Sequence, residues 1–414
     1  MSKIKIRAFG PIKEGLTEEE YLDIGKISLF LGNQATGKSS VAKLISTCTW
    51  VEKSLFRGQL KVNELEKPGH FVNKHCAYQG IKNYFRAETE VEFIGAYFRF
   101  HYANGQLKAE AVSDGADYQP PKIMYVPAER NFLSVVERPE RIQDLPSPIY
   151  TFLDEFERAK TALGGTLELP VNDVTFEFRT QGRESFIKGE GFRLKLHEAS
   201  SGIQSLLPLY LVSRNLAYSV AIERVDSNSG AHGMSLEQTH QLKEEIDKIL
   251  NNPNLTEEVR SAALERLSMS YRNTCFVNIV EEIEQNLFPT SQRSLLNELL
   301  QFNNLTSCNQ LLLTTHSPYI LNYLTIAIKG GQLLHKSYEM GDAPSIKEKI
   351  AVIVPVESCI KPGEAIVYEF LEDGSIRRLP DFEGLPSDEN YLNQFLFDTN
   401  QLFDELLEIE EALV

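Results

Sequence analysis

Eight residues near the N-terminus constrain this chain more than any other stretch. Residues 32–39 are Gly-Asn-Gln-Ala-Thr-Gly-Lys-Ser, which matches the G-x-x-x-x-G-K-S pattern of a phosphate-binding loop, the Walker A motif. The apolar run at 27–31 predicts a buried strand before the loop, and residues 40–46 predict the first turns of a helix after it. Strand, glycine-rich turn and helix are the context that this motif requires, which argues against a chance match.

The residue types in this loop have specific roles. Gly32 and Gly37 let the backbone curl so that its N–H groups point at phosphate oxygens, and the helix beginning near Lys38 adds the positive end of its dipole. We expect Lys38 to reach the β- and γ-phosphates of ATP, and the hydroxyl of Ser39 to bind Mg²⁺. The predicted nucleotide-binding residues of the loop are Gly32, Asn33, Gln34, Ala35, Thr36, Gly37, Lys38, Ser39 and Ser40.

The composition is that of an ordinary globular protein. With 414 residues, 42% hydrophobic and 24% charged, the chain is long enough for one large or two moderate domains. Its formal net charge of −16 argues against a generally nucleic-acid-binding surface, although a local basic patch remains open. No run of about 20 apolar residues is present, and residues 1–7 alternate like a strand, so we expect no membrane partner. Five scattered cysteines are typical of reduced thiols in a cytoplasmic protein.

A second motif supplies the carboxylates that the loop lacks. The apolar run 275–280 predicts another buried strand, and Glu281 and Glu282 follow it in the Walker B arrangement. We expect Glu281 to order Mg²⁺, often through water, and Glu282 to polarise the attacking water. The alternative is the acidic first turn of a helix, which these two residues and Glu284 would also suit.

A histidine ends the strand predicted at 310–315. His316 therefore stands at the carboxyl end of a buried strand, where ligands bind in open parallel sheets. We predict that it contacts the γ-phosphate or the attacking water, and that it forms the catalytic set with Lys38 and Glu282. The alternative is a histidine with a purely structural role.

Between the two Walker motifs, residues 199–205 open a helix with small and hydroxyl side chains. Such a helix N-terminus can form a second anion site, for which Ser200, Ser201, Gly202 and Gln204 are the candidates. The alternative is a simple N-cap by one of the serines. One chain seldom needs two phosphate sites for one nucleotide, so the second site predicts two copies meeting head to tail across two ATP molecules.

Taken together, these motifs resemble the ABC-type ATPase heads of the SMC, RecF and OLD group. That group has the order Walker A, signature, Walker B and switch histidine, which corresponds here to GNQATGKS (32–39), SSGIQS (200–205), VNIVEEIEQNLFP (277–289) and TTHSP (314–318). Residues 122–130, KIMYVPAER, look like a segment of the stand-alone members. The chain departs from the family pattern at Ala199, Ile283, Asn286 and Phe288 and has one glycine in the signature.

The resemblance, which covers most of 1–328, implies a fold, an activity and an assembly. The fold is an α/β P-loop NTPase of the ABC-type head class, with a mixed or parallel core sheet, an antiparallel β subdomain and a helical subdomain. The implied head spans 1–330, with a Walker A lobe at 1–145, a helical signature region at about 146–272 and a Walker B lobe at 273–330. The implied activity is hydrolysis of ATP to ADP and phosphate, in a homodimer or higher homo-oligomer whose heads sandwich ATP.

The tail, 331–414, is predicted to be a small C-terminal region ending in an acidic helix at 390–413. Only 98 residues follow His316 and none forms a D-x-D pair, so the Toprim nuclease domain of OLD proteins is not expected. The tail looks like that of ATPases that act beside a separately encoded effector, a nuclease or toxin, as in the two-component anti-phage systems PARIS and Septu. The acidic helix is a candidate docking face for that effector, or else a solvated terminal helix.

The main alternative is a RecF-like or SMC-like DNA-binding ATPase of DNA repair. Local basic patches for DNA could come from Lys53, Arg57, Lys61, Arg130, Arg138 and Arg141. The simpler interpretation of these residues is ordinary surface charge, which the net charge of −16 favours. A transporter ATPase is the weakest alternative, because it would need a membrane partner.

Three further stretches give testable local predictions. Residues 90–100 alternate at period two and predict a strand, which the turn pair Asn104-Gly105 joins to a second strand at 106–112. Residues 235–270 predict a surface helical hairpin, an insertion in the head. His70, His75 and Cys76 are close enough for a zinc site to be conceivable, but a solvated loop is the better prediction there.

Overall fold

The computed structural model of this chain describes residues 2–225, 272–340 and 343–411, with a few further positions between 243 and 260. The helical insertion predicted at 235–270 lies, apart from those positions, outside the described residues. Each of the five cysteines is a free thiol, as predicted. Within the described ranges, no helix is both long and apolar enough to cross a bilayer.

A seven-stranded mixed sheet lies at the centre of the described structure. In spatial order, its strands are β2 Gly15–Leu16, β16 Ser375–Arg378, β15 Ala365–Phe370, β4 Ile27–Gly32, β14 Gln310–Thr315, β13 Cys275–Val280 and β8 Pro121–Val126. The five strands from β15 to β8 are parallel, and β16 is antiparallel to β15. The carboxyl ends of β4, β14 and β13 therefore meet at one edge of the sheet.

The parallel strands are buried on both faces, because a hydrophobic core covers each side of the sheet. In β4, Leu29 and Leu31 pack into one core and Phe30 packs into the other. All six residues of this strand are buried, as they are in β13. This explains why both strands have continuous apolar sequences rather than the alternation of a half-exposed strand.

The remaining β structure is antiparallel. One sheet has the order β3 Leu22–Ile24, β1 Ser2–Phe9, β5 Phe85–Ile94, β6 Phe98–Ala103 and β7 Gln106–Ala111. A second has the order β12 Phe192–Lys195, β11 Glu184–Gly189, β10 Thr175–Arg179 and β9 Thr166–Glu168. A short hairpin joins β17 Asp381–Phe382 to β18 Leu385–Pro386. The antiparallel subdomain predicted from the sequence is therefore present.

The single strand predicted at 90–100 is wrong, because a turn at residues 95–97 divides it into β5 and β6. The carboxylate of Glu52, buried on the helix that follows the Walker loop, accepts hydrogen bonds from the N–H groups of Tyr97 and Phe98 at 2.8 and 3.0 Å. These bonds stabilise the turn and attach the antiparallel sheet to that helix. The hairpin predicted at Asn104-Gly105 is confirmed, since Ala103 pairs with Gln106.

Helices cover both faces of the central sheet. The α-helices of the described ranges, of which α1, α4, α5 and α6 contact the central sheet, are α1 Lys38–Phe56, α2 Val62–Leu65, α3 Phe132–Val135, α4 Ser147–Leu163, α5 Ser201–Val225, α6 Pro289–Asn304, α7 Pro318–Met340, α8 Ala343–Ala351 and α9 Tyr391–Glu411. The loop predicted around His75 is instead a π-helix, Phe71–Cys76. No group of three metal-binding side chains occurs among the residues that the structure describes, so the conceivable zinc site gains no support.

The C-terminal boundary predicted at residue 330 has no counterpart in the structure and needs correction. Helix α7 runs through it from Pro318 to Met340. Beyond it, β15 pairs in parallel with the Walker A strand β4, from Ala365 opposite Ile27 to Phe370 opposite Gly32. Residues 365–378 are thus part of the central sheet rather than of a separate region, a pairing between distant segments that no local pattern predicts.

This arrangement predicts opposite effects for two truncations. A chain that ends at Lys361 loses β15 and leaves one edge of β4 without hydrogen-bond partners, so we expect no cooperative thermal unfolding transition. A chain that ends at Gln394 loses only exposed turns of α9 and should melt within about 3 °C of the full chain. Thermal unfolding followed by circular dichroism distinguishes the two. Equal melting temperatures for both truncations would contradict the corrected boundary.

Candidate functional site

The predicted glycine-rich loop follows β4 and leads directly into α1. Gly32 and Gly37 have φ angles of 142° and 101°. A Cβ on Gly32 would lie 2.4 Å from the carbonyl oxygen of Phe370, and one on Gly37 would lie 2.8 Å from Ile12 Cδ1. Both glycines are therefore required by backbone conformation and by close packing.

The rest of the loop is divided between exposed and buried positions. Asn33, Gln34 and Ala35 are exposed, whereas Thr36 is buried and its hydroxyl donates to the carbonyl of Asn33 at 2.8 Å. Ser39 is half-buried at the start of α1, and the next residue, Ser40, is buried. Exposed backbone at the tip beside a helix N-terminus is an arrangement that fits a phosphate group.

Lys38 is buried and curls back over the loop. Its ammonium group donates to the carbonyl oxygens of Gly32 and Asn33 at 2.9 and 2.6 Å, and it lies 3.5 Å from Nδ1 of His316. Burial lowers the pKa of Lys38 to about 8. A cation held only by neutral carbonyls in a buried position fits an anionic partner, which would favour its charged form.

Glu281, the first predicted Walker B carboxylate, is 3% exposed at the end of β13. One oxygen, Oε2, accepts from the N–H of Ala128 at 3.2 Å. The other, Oε1, has no hydrogen-bond partner among the described residues and lies 3.8 Å from Nζ of Lys43 on α1. A buried carboxylate oxygen without a hydrogen bond fits a cation, so Glu281 and Ser39 are suitable residues to hold Mg²⁺.

Glu282, the predicted catalytic carboxylate, has a left-handed backbone conformation with φ of 44°. Its N–H donates to Oγ1 of Thr314 at 3.1 Å, which fixes this uncommon geometry. Its Oε1 lies 3.7 Å from Nε2 of His316, and this contact, followed by the charges of Arg130 and Lys38, holds its pKa below the usual value. No helix begins here, since α6 starts at Pro289, so the alternative of an acidic first helical turn is wrong.

Glu284 is a positioning residue that the sequence analysis counted only as an acidic helix residue. Its Oε1 accepts from the backbone N–H of His316 at 2.5 Å, and its Oε2 accepts from Oγ1 of Thr315 at 2.8 Å. The carboxylate therefore fixes the end of β14 beside Lys38 and Glu282. The only sequence signal for this role was that Glu284 lies two residues after Glu282. That spacing does not show that its side chain turns toward the end of β14.

Arg130 was considered for a local basic patch, with ordinary surface charge as the simpler interpretation, and both interpretations are wrong because the residue is buried. It is 0% exposed, and its guanidinium donates to the carbonyls of Glu281 and Glu282, at 2.7 Å each, and of Ser205, at 3.1 Å. It therefore joins the end of the Walker B strand to the signature helix α5. Burial lowers the pKa of Arg130 to about 10, which leaves it charged at neutral pH.

Two more of the cations considered for a basic patch, Arg57 and Lys53, are not free surface charges. Arg57 is 6% exposed and donates to the carbonyl of Arg272 and to Oδ1 of Asn273, at 3.1 and 3.2 Å. Lys53 is half-buried and donates to the same Asn273 oxygen at 3.1 Å. Lys61, Arg138 and Arg141 are exposed, as a surface patch would need.

The signature segment has its serines exposed at the start of α5. Ser200 and Ser201 are exposed, and Gly202 packs so closely that a Cβ would lie 3.0 Å from the carbonyl oxygen of Asn286. The prediction that Gln204 belongs to the second anion site needs correction. Gln204 is buried, and its amide donates to the carbonyls of the turn at 196–197. Within the described residues, no hydrogen bond or ion pair joins 200–205 to 32–39.

A residue from the C-terminal part of the chain also bonds to the Walker A loop, a contact that no sequence pattern predicted. Nδ2 of Asn33 donates to Oε1 of Glu372 at 2.8 Å, and the same oxygen accepts from the hydroxyl of Tyr391. Tyr391 is the first residue of α9. The first residue of the acidic helix is therefore connected to Asn33 of the Walker loop by two hydrogen bonds through Glu372.

Comparisons with known proteins were made for sequence and for structure. No protein-family model and no curated protein matches the chain. Structures that it resembles include an SMC head bound to the C-terminal winged-helix domain of ScpA, with a TM-score of 0.34 and 12% identity over 78% of this chain and 90% of that one. The SMC head domain from Thermotoga maritima has a TM-score of 0.32 and 11% identity over 78% and 90%.

The recombination mediator RecF with ATP has a TM-score of 0.30 and 11% identity over 91% of this chain and 97% of that one. These structures are what the chain is similar to, and the interpretation of the site rests on its own residues and distances. Those define a mixed α/β protein with a P-loop, in which a lysine, a glutamate and a histidine meet at the carboxyl edge of a parallel sheet.

The buried contacts of Arg130 predict a large effect on stability. Arg130→Met removes the donor from the carbonyls of Glu281, Glu282 and Ser205, of which that of Glu282 keeps a bond from the N–H of Gln285. We expect the free energy of unfolding to fall by about 3 kcal/mol. Urea denaturation measures this change, provided that the slope of the unfolding free energy against urea concentration is the same for both proteins. The control is Arg138→Met, at an exposed arginine, which should change this free energy by less than about 0.5 kcal/mol. Equal effects of the two substitutions would disprove the role of Arg130.

The lowered pKa of Lys38 predicts pH-dependent nucleotide binding. A phosphate partner needs the protonated amine, so above pH 8 each binding event takes up a proton and the dissociation constant for ATP rises by up to about tenfold per pH unit. Isothermal titration between pH 7.5 and 9.5, with circular dichroism to verify folding, measures this dependence. Lys38→Met should bind more weakly and without this slope. An affinity of the native chain that stays flat over this range would refute the prediction.

Proposed function

We propose that this chain is an ABC-type ATPase that hydrolyses ATP to ADP and phosphate and acts as a nucleotide-dependent oligomerising switch. The observation that carries the proposal is the convergence of Lys38, Glu282 and His316. They follow three neighbouring parallel strands, and Nδ1 and Nε2 of the one imidazole lie 3.5 Å from the lysine and 3.7 Å from the glutamate. A lysine beside a phosphate loop and a side chain that can position water are groups that phosphoryl transfer to water uses, and the histidine lies between them.

Each of these residues has a defined task in the proposed reaction. Glu282 is ionised at neutral pH because its pKa is lowered, so it can accept a proton from an attacking water. His316 lies between that carboxylate and Lys38, a position from which it can hold the γ-phosphate or orient the water. Ser39 and Glu281 would hold Mg²⁺, which neutralises charge on the phosphates when bound.

The signature segment supports an assembly of two heads. Ser200 and Ser201 are exposed at a helix N-terminus, and no described contact connects them with the Walker loop of the same chain. Their hydroxyl groups and the adjacent backbone N–H groups are therefore available to a phosphate held by a second copy. In the proposed dimer, two nucleotides are enclosed between the loop of one head and the signature helix of the other.

A role in bacterial defence, with a separately encoded nuclease or toxin as partner, is the finer part of the proposal. It is supported by α9, an amphipathic helix whose described side chains beyond Gln394 are exposed. Its apolar side chains Phe395, Leu402, Phe403, Leu406 and Ile409 are 47–62% exposed. Residues 388–414 contain eight carboxylates and no lysine or arginine, so a separate protein with a basic, apolar groove is a better partner than a second acidic copy.

The alternative, a DNA-binding ATPase of repair, has less support. Of the six cations considered for DNA, Arg130 and Arg57 are buried and Lys53 is bonded to Asn273. DNA-stimulated hydrolysis that falls steeply with salt would favour this alternative, because phosphate contacts release counterions.

The decisive substitution is Glu282→Gln, which keeps the size of the side chain and removes its charge. We expect hydrolysis to fall by about 100-fold or more while ATP still binds, so the ATP-joined assembly accumulates. Gel filtration with ATP and Mg²⁺ measures the size. Lys38→Ala is the matched control, since it should bind ATP poorly and elute as the smaller species. Identical elution of the two variants would count against the two-head proposal.

A further inference from the structure

A cavity of about 470 Å³ lies apart from the Walker loop. It is enclosed by the later turns of α1, the π-helix Phe71–Cys76, β8 and α4, and none of residues 32–39 lines it. Its volume is in the range of small-molecule sites. π-Helices are rare in proteins, and those that occur are often found at functional sites. The π-helix in the wall of this cavity is therefore a second indication that the cavity binds a ligand.

Within the part of the chain that the structure describes, three buried polar atoms of residues that line the cavity have no hydrogen-bond partner: Nε2 of His75, Oε1 of Gln79 and the hydroxyl of Tyr125. The three side chains are only 6%, 7% and 4% exposed. The amide nitrogen of Gln79 donates to Oγ of Ser46 at 3.3 Å, which fixes the amide and leaves its oxygen as an acceptor. Burial lowers the pKa of His75 to about 4, so its ring is neutral at pH 7. Buried polar atoms normally have partners, and a polar ligand would supply them here.

Aromatic rings line the same cavity. Trp50 and Tyr78 are 47% and 42% exposed, although side chains of this size usually pack against other groups. The ring of Trp50 lies 5.4 Å from that of His75 at an angle of 39°. A planar aromatic ligand could pack against these rings while its polar edge bonds to Gln79 and His75.

Basic side chains outnumber acidic ones in the lining of the cavity. Its charged lining residues are Lys53, Lys74, Lys122, Arg158, Asp154 and Glu155. Lys122 pairs with Glu155 at 2.6 Å, and Arg158 pairs with Asp154 at 3.0 Å. Lys53 has no carboxylate within salt-bridge distance among the described residues; burial, with the charges of Arg57 and Lys122, lowers its pKa well below the usual value. An anionic group beside Lys53 would stabilise the protonated amine and so offset the free-energy cost of burying its charge.

The cavity is connected to the Walker B carboxylate through Tyr125. This residue lies in β8, opposite Ile279 of the Walker B strand. The ammonium of Lys43 lies 5.8 Å from the centre of the Tyr125 ring and 3.8 Å from Oε1 of Glu281. A ligand that bonds to Tyr125 therefore acts on the group next to the predicted Mg²⁺ ligand.

We propose that this cavity binds a nucleoside monophosphate and that its occupancy regulates the nucleotide site through Tyr125 and Glu281. The base packs against Trp50 and bonds to Gln79 and His75, and the phosphate lies beside Lys53. The regulatory half of this inference rests on the proposed ATPase function, whereas binding to the cavity does not.

Trp50 is the only tryptophan of the chain, so its fluorescence reports on the cavity. The experiment titrates AMP, GMP, CMP and UMP into Lys38→Ala protein, in which binding at the Walker loop is removed. We expect at least one of them to change the fluorescence saturably, with a dissociation constant confirmed by calorimetry. Adding Gln79→Met should weaken binding about tenfold, the effect of one lost hydrogen bond of about 1.4 kcal/mol. Adding Lys61→Met, at an exposed lysine outside the cavity, should leave binding unchanged.

Failure of all four nucleotides to bind by either method, up to millimolar concentration, would overturn the proposal, as would binding that Gln79→Met does not weaken. The regulatory half has its own test with Lys38 intact. The nucleotide should change the rate of ATP hydrolysis, and Gln79→Met should shift its half-effective concentration by the same factor as its dissociation constant. Simple competition at the Walker loop would show no such shift and would refute regulation. If the protein proves not to hydrolyse ATP, the proposed function fails while binding to the cavity is still measured.

Discussion

The site depends on one buried guanidinium. Arg130 bonds the carbonyls of Glu281 and Glu282 at the end of the Walker B strand and the carbonyl of Ser205 in the signature helix. Because a buried cation is costly unless its donors are satisfied, the strand end and the helix cannot move apart without losing stability. In the proposed switch, a contact made by Ser201 on a second head would therefore reach Glu282 through a rigid connection.

The Walker A loop, near the start of the chain, is held in place by residues from the C-terminal part. Strand β15 lies against Gly32, and Glu372, just after that strand, accepts from the amide of Asn33 and from Tyr391 at the start of α9. If a protein partner binds α9 and a nucleotide binds the loop, the two share this hydrogen-bond network. Any effect of the partner on nucleotide affinity must then be matched by an equal effect of the nucleotide on partner affinity.

Charges alternate closely around the proposed reaction centre. Lys43 lies beside Glu281, and His316 lies between Lys38 and Glu282. The low pKa of Glu282 and the lowered pKa of Lys38 leave the carboxylate ionised and the amine mostly protonated near pH 7. The same physical effect, burial of a cation, occurs at Lys53 in the separate cavity, where the charges of Glu223 and Glu155 offset it only in part.

Local order in the sequence, an apolar run followed at once by polar residues, predicted the phosphate loop, the two carboxylates and the strand-end histidine, whereas the mixed or parallel sheet around them was implied by the family resemblance. The sequence predicted neither the burial of Arg130 nor the role of Glu284, and it divided the chain at 330, although β15 completes the central sheet. Those features depend on contacts between residues far apart in the chain. Which arginine is buried, and which strand pairs with β4, was decided only when the sheet and its helices came together.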